Sequence, residues 1–232
     1  MPNIAIITAR GGSKRIPKKN IKEFCGKPII AYSIEAALNS ELFDEVMVST
    51  DSDEIAQIAM QYGAKVPFYR SEETSDDFAT TADVLEEVLQ CYEETGMEYE
   101  MMCCIYPTAP FVTSSVIRQA YDCMKLKNAD SVVPIVAYSF PPQRAFVVKN
   151  GMVKYNNPEN ERVRSQDLER LYHDCGQFYM CKVNPFRLHK TLIMPNTAPI
   201  IISEENVQDI DSLTDWKLAE LKYQLLLESK GV

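Results

Sequence analysis

Arg10, Lys14, Arg15, Lys18 and Lys19 place five cations within ten residues, and Gly11 and Gly12 stand among them. The whole chain carries a net charge of −9 at pH 7, so this cluster runs against the global balance. A local positive focus in an acidic protein suits a small, highly charged anion, because a long polyanion would be repelled by the rest of the surface. Residues 4–8, Ile-Ala-Ile-Ile-Thr, are apolar and largely β-branched and run directly into the segment. A buried strand feeding a glycine-bearing turn is where backbone N–H groups can converge on a phosphate. A solvated basic loop would explain the charges but neither the paired glycines nor the strand before them. The P-loop is excluded, because Lys14-Arg15 does not supply its lysine-Ser/Thr pair. The dinucleotide fingerprint is excluded too, because Ile16 stands where its third glycine belongs.

A second constellation is Asp209-Ile210-Asp211. In an extended segment, residues two apart share a side, so both carboxylates would face the same way. Two hard oxygen donors in that arrangement suit a Mg²⁺ ion that also takes phosphate oxygens and keeps some water. The competing reading is that one of the two aspartates caps or orients the helix that follows. A third set, Arg144 and Arg164, offers guanidinium groups able to clamp a carboxylate through two parallel hydrogen bonds. Either can equally be a surface ion pair. His173 is one of two histidines and is not assigned as a general base.

The run Ala9-Arg10-Gly11-Gly12-Ser13-Lys14-Arg15-Ile16-Pro17, followed by Lys19-Asn20, resembles the first signature of the cytidylyltransferases that activate nonulosonic acids. Asp209-x-Asp211 is similar to that family's metal-binding pair before the terminal helix. Arg164-x-Gln166-Asp167-Leu168 with Gly176-x-x-Tyr179 resembles its dimerisation and sugar-pocket segment, and Pro107-Thr108-Ala109-Pro110 its Pro-Thr-x-Pro turn. The residue before that turn is typically glutamine in the sialic acid enzymes and is Tyr106 here. With Phe140-Pro141-Pro142-Gln143-Arg144 and Tyr172-His173-Asp174, the pattern looks most like the pseudaminic acid branch.

The resemblance implies a Rossmann-like nucleotide-diphospho-sugar transferase fold, with CTP and a nine-carbon acidic sugar as substrates and Mg²⁺ as cofactor. It implies a nucleotide site of Thr8, Ala9, Arg10, Gly11, Gly12, Ser13, Lys14, Lys19, Asn20, Arg70, Thr80 and Thr81. It implies sugar contacts from Tyr106, Thr108, Gln143, Arg144, Arg164, Gln166, Gln177 and Tyr179. Arg10, Lys19 and Asp211 are then the catalytic residues, and Asp209 and Asp211 the metal ligands. Sialic or legionaminic acid remains the alternative sugar. A non-catalytic nucleotide-binding regulator on the same fold is the alternative class, and it predicts a damaged basic loop or Asp-x-Asp, neither of which is found.

The elements that must position these residues follow from hydrophobic period. Strands are expected near 4–8, 45–50, 65–70, 101–106, 131–136, 177–183 and 199–203, and helices over 29–39, 53–62, 80–92 and 114–126. Asp51-x-x-Glu54 and Ser212-x-x-Asp215 read as helix caps, with Trp216, Leu218, Leu221 and Leu225 facing inward on the last helix. Alternation of strands and helices predicts an α/β fold, a mostly parallel sheet covered on both faces. Asn150-Gly151 between two short apolar runs predicts a type I′ hairpin inside a 138–190 insertion, the candidate dimerisation segment of a single 1–232 domain. Seven cysteines without a CxxC pair suggest neither a zinc site nor a disulfide framework, and Cys103 and Cys104 are expected in the core. No apolar run approaches the roughly 20 residues of a membrane span, and no signal segment is read. The expectation is a cytoplasmic homodimer that binds neither nucleic acid nor membrane.

Overall fold

The computed structural model describes residues 2–230. Strand β1 (Asn3–Thr8) leads through a 3-10 turn at Lys19–Ile21 into a small hairpin, β2 (Glu23–Phe24) and β3 (Lys27–Pro28). Helix α1 (Ile29–Leu38), β4 (Glu45–Ser49), α2 (Asp53–Gln61), the single turn α3 (Glu72–Ser75) and α4 (Thr81–Glu94) follow. Then come β5 (Met101–Ile105), α5 (Ser114–Lys127) and β6 (Ser131–Ala137). The remainder comprises β7 (Phe146–Lys149), β8 (Met152–Tyr155), β9 (Tyr172–Asp174), β10 (Phe178–Lys182), α6 (Val183–His189), β11 (Thr197–Ile201) and α7 (Leu213–Lys230).

The main sheet runs β11-β6-β10-β5-β1-β4, with β9 added on β6. β11, β6, β5, β1 and β4 share one direction, whereas β9 and β10 run against it. β1 and β5 are central and apolar on both faces, as a strand covered on both sides must be. Their alternate residues divide cleanly. Ala5, Ile7, Cys103 and Ile105 pack with residues of α1, α2 and α5, while Ile4, Ile6, Met102 and Cys104 pack with residues of α4 and α6. Cys103 and Cys104 are both fully buried, and burial pushes the Cys104 thiol up to about 12, so it stays a neutral core group.

Four expectations are corrected. Residues 65–70 do not form a strand: only Lys65 bridges Met47, and Arg70 donates its backbone N–H to Thr50. The chain there lies at the sheet edge beyond β4 and peels off after one pair. Asp51 does not cap α2, because it accepts the Gly11 N–H instead; Ser52 is the N-cap and makes no side-chain cap hydrogen bond. On α7 only Trp216 of the expected four is buried, at 3% exposure; Leu218, Leu221 and Leu225 are exposed. The docked face is Trp216, Ala219, Tyr223 and Leu226, because large aromatic rings at 216 and 223 mate with Phe24 and Tyr32 of the β2–α1 region. Within 138–190, β9 and β10 belong to the main sheet, which leaves the β7–β8 hairpin as the part that stands apart from it. That hairpin forms over the expected residues, with Asn150 at φ 52° and Gly151 at φ 75°, the left-handed pair a type I′ turn requires.

Candidate active site

β1 and β5 pair in parallel, with Ile7 opposite Ile105, so both strands release the chain at the same edge. In an open α/β sheet that carboxyl edge is where ligands bind. Thr8 and the basic loop emerge from β1; Tyr106, Pro107 and Thr108 emerge from β5. Between them lies a cleft of about 450 Å³. Of the expected nucleotide residues, Thr8, Arg10, Gly12, Ser13, Lys14, Lys19 and Asn20 line it, as do Tyr106 and Thr108 of the sugar set.

The loop is held by its own backbone and by Asp51. Ala9 donates its N–H to Ser49, extending the β1–β4 pairing, and Ser13 donates to Gly11, closing a tight turn. Asp51 Oδ1 accepts the Gly11 N–H at 2.7 Å. Gly11 is needed for closeness rather than for an unusual backbone angle: a Cβ there would stand 3.2 Å from that of Ser52. Its amide is committed to Asp51 and that of Ser13 to the Gly11 carbonyl, which leaves the Gly12 N–H as the loop amide available to an anion, and at Gly12 nothing crowds the Cα. Asn20 is buried and donates its side-chain N–H to the Arg10 carbonyl at 2.9 Å, bracing the loop from below.

The cations are partly neutralised. Arg10 Nη1 donates to the Asp76 carbonyl at 2.7 Å and pairs with Asp77 at 3.0 Å, and Lys14 bonds the same Asp77 carboxylate. Lys14 first and Arg10 second hold the Asp77 carboxyl below the usual carboxylate range. Lys19 donates to the Ile210 carbonyl at 2.7 Å and lies 3.8 Å from Asp211, tying the loop to the Asp-x-Asp segment across the cleft. Burial pulls the Lys19 ammonium below its ordinary pKa, and Asp211 opposes that shift. Arg15, absent from the expected set, forms a 2.7 Å pair with Asp211.

Asp211 thus pairs with two cations that line the first cleft, Arg15 and Lys19, while Asp209 lines a second cleft with His173, Asp174, Glu204 and Lys222. Ser212 and Asp215 satisfy each other at the start of α7, with Asp215 accepting the Ser212 N–H at 2.7 Å, so neither Asp209 nor Asp211 is spent as the cap. Among the described residues there is no group of three or more His, Cys, Asp or Glu positioned for a metal. The expectation that both carboxylates face the same way is corrected: Asp209 opens onto the second cleft, and Asp211 alone reaches the cations of the first, each being by itself a hard oxygen donor of the kind Mg²⁺ takes.

The remaining expected residues fall into two groups. Arg70 is tied to Ser49 through Nε and Nη2 at 3.0 and 2.9 Å, and burial lowers its pKa. Thr80 is consumed in a reciprocal capping box with Asp83. Thr81 reaches the Tyr106 hydroxyl at 3.4 Å, Gln177 is buried against the Asn206 carbonyl, and Tyr179 bonds Asp174 at 2.5 Å. Gln143, Arg144, Arg164 and Gln166 lie in the segment between β6 and β9; Arg164 pairs with Asp167, and Arg144 donates to Ser165. Neither cleft of this single chain is lined by these four. From the sequence Asp51 reads as a helix cap and Asp174 as part of the Tyr172-His173-Asp174 motif, and Asp77 carries no signal. Asp77 sits in an acidic stretch that reads as solvated loop, and only its position over two cations marks it.

A mostly parallel sheet with a basic loop at its carboxyl edge and an acidic segment before the last helix defines a nucleotidyltransferase architecture. The fold matches the structure of CMP:2-keto-3-deoxy-manno-octonic acid synthetase complexed with CTP at a TM-score of 0.71, with 18% identity, covering 98% of this chain and 100% of that one. The family described as Cytidylyltransferase matches residues 4–226, and the chain belongs to it. A pseudaminic acid cytidylyltransferase of Campylobacter jejuni is 38% identical over 230 residues, 99% of each chain. A CMP-N,N'-diacetyllegionaminic acid synthase of Legionella pneumophila is 34% identical over 236 residues, 97% of this chain and 98% of the other.

Proposed function

We propose that the protein transfers a cytidylyl group from CTP to the nine-carbon acid pseudaminic acid, giving CMP-pseudaminic acid and pyrophosphate. The observation that carries this reading is the basic loop joined through Lys19 to the Asp209–Asp211 segment, with Tyr106 and Thr108 across the same cleft. The similarity to the C. jejuni enzyme supports the choice of sugar.

In this reading the oxygen of the anomeric hydroxyl on carbon 2 forms a bond to the α-phosphorus. The bond to the bridging oxygen breaks, pyrophosphate leaves, and the hydroxyl proton passes to a phosphate oxygen. Positioning and charge neutralisation carry most of such a transfer. Arg10 neutralises the α-phosphate as charge builds, and Lys14 and Lys19 hold the triphosphate. Gly12 brings a backbone dipole, and Asn20 keeps the Arg10 backbone in place. Asp209 and Asp211 are the residues that would hold Mg²⁺, which supplies charge stabilisation for the leaving pyrophosphate. Arg144 and Arg164 serve as carboxylate clamps only if a second copy of the chain carries them to the cleft. The exposed Val148, Met152 and Val153 of the hairpin give such a homodimer an apolar surface to cover. Light scattering that returned a monomer at working concentration would remove both arginines from the site.

The test is pyrophosphate release from CTP and Mg²⁺ with pseudaminic, N,N'-diacetyllegionaminic or N-acetylneuraminic acid. Release with pseudaminic acid alone is expected. Preferential release with another of the three keeps the transfer and overturns the sugar, and no release with any of them overturns the activity.

A further inference from the structure

Arg15 and Lys19 both line the phosphate cleft, and both are turned toward one carboxylate. Arg15 Nη1 lies 2.7 Å from Asp211 Oδ2, and Lys19 Nζ lies 3.8 Å from Asp211 Oδ1. Asp211 therefore has a cation at each oxygen. Its backbone is held in place: the Asp211 N–H donates to Asp215 Oδ2 at 3.2 Å, and Lys19 Nζ donates to the Ile210 carbonyl at 2.7 Å. Ile16 and Ile210, the chain neighbours of Arg15 and Asp211, are both buried in one cluster with Trp216. With both backbones anchored, a change of partner at this point is a change of side-chain rotamer.

The two cations differ in freedom. The Lys19 side chain is 22% exposed and is also tied to the Ile210 carbonyl, whereas that of Arg15 is 70% exposed. Arg15 is the partner able to turn. A guanidinium meets carboxylate and phosphate through the same planar fork, so a group that fits Asp211 fits a phosphate equally. A triphosphate in the cleft carries several negative charges against the single one of Asp211 and is the stronger partner. While both cations neutralise it, Asp211 is a poor ligand for a divalent cation, which would have to displace them or sit beside like charge.

We propose that Arg15 is an exchange residue that makes metal binding conditional on the nucleotide: it neutralises Asp211 in the free protein, passes to the triphosphate when CTP binds, and so leaves the Asp211 carboxylate open to a divalent cation only in the loaded cleft. The proposal rests on the cytidylyltransferase reading above and adds an order of binding to it. Asp211 supplies one hard oxygen donor, and the phosphate oxygens of the nucleotide supply others. Among the described residues the free protein presents no such set, because Asp211 is covered and Asp209 opens onto the second cleft. Nucleotide and cation are thereby coupled through one side chain. Such coupling is reciprocal, so the factor by which the triphosphate favours the cation is the factor by which the cation favours the triphosphate.

The test is titration calorimetry of CTP against wild type, Asp211→Asn, Arg15→Gln and the double variant, first with divalent ions chelated and then with Mg²⁺ in excess. Without metal, Asp211 competes with the triphosphate for Arg15. Removing an exposed ion pair shifts an equilibrium by about 1.5- to 5-fold, so Asp211→Asn is expected to lower the Kd for CTP by that factor. Arg15→Gln alone is expected to raise the Kd. In its background Asp211→Asn is expected to tighten CTP binding less, because only Lys19 is left to release. With Mg²⁺ the sign reverses: Asp211→Asn is expected to raise the Kd, because a metal ligand is lost. Tighter binding by Asp211→Asn with and without Mg²⁺ alike overturns the proposal, as does weaker binding by it in both conditions. An equal effect of Asp211→Asn in both Arg15 backgrounds, or an unchanged metal-free Kd in Arg15→Gln, overturns it too. Because the readout is a change of sign within one variant, partial unfolding does not imitate it. Failure of wild type to bind CTP at all is a separate result that refutes the underlying function and the proposal with it.

Discussion

Replacing Asp77 by asparagine should make the protein bind CTP more tightly. In the free protein this one carboxylate pairs with Arg10 at 3.0 Å and bonds Lys14, the two cations assigned to the triphosphate. A triphosphate must displace it from both. The side chains are 37%, 76% and 47% exposed for Arg10, Lys14 and Asp77, so solvent screens each pair. Exposed pairs of this kind shift an equilibrium by about 1.5- to 5-fold each, and the two share one anion. Freeing both cations should therefore lower the Kd for CTP between about twofold and about tenfold. The gain should shrink as salt is raised from 50 to 500 mM, because added ions screen the same pairs (Debye length about 10 Å at 0.1 M). The assay is titration calorimetry of CTP without divalent ions, with Asp77→Asn and wild type at matched ionic strength. Weaker binding by the variant would refute the reasoning, since it would mean Asp77 works with the nucleotide rather than in its place. An unchanged Kd at every salt would show that the pairs do not persist in solution.

Other expectations follow from the same geometry. Arg10→Ala should cut kcat at least about 100-fold, comparable with losing one transition-state donor, and turnover within a few-fold of wild type would remove it from the mechanism. Asp211→Ala should abolish Mg²⁺-dependent turnover while leaving the urea midpoint close to wild type. Normal activity at limiting Mg²⁺ in that variant would sink the metal assignment, and chelation of divalent ions should reproduce the loss in wild type. Trp216→Ala should cost about 3–5 kcal/mol in urea unfolding, because a 3% exposed indole that meets Phe24 edge-on is deleted from the cluster holding α7 to the domain. A loss below about 1 kcal/mol would show that α7 is held by other contacts.

Much of this arrangement was legible in the sequence because it is local. The apolar run of β1, the glycines and cations after it, the Asn150-Gly151 turn and the Ser212–Asp215 cap each depend on residues a few positions apart. What escaped depends on distance along the chain. Asp51 has a capping spacing, yet its partner is Gly11, forty residues earlier. Asp77 reads as solvated until the fold lays it over Arg10 and Lys14. On α7, period alone could not choose between the leucine face and the aromatic face. Phe24 and Tyr32, nearly two hundred residues away, decided it.

The central claim is that one cleft joins the sugar's anomeric oxygen to the α-phosphorus of CTP. It is tested most directly by running the reaction with pseudaminic acid carrying ¹⁸O at the carbon-2 hydroxyl and reading the product by mass spectrometry. Retention of the label in the phosphodiester of CMP-pseudaminic acid is the predicted result. CMP without a sugar-derived label, or labelled sugar recovered unchanged while pyrophosphate accumulates, would contradict it and leave a nucleotide hydrolase in its place.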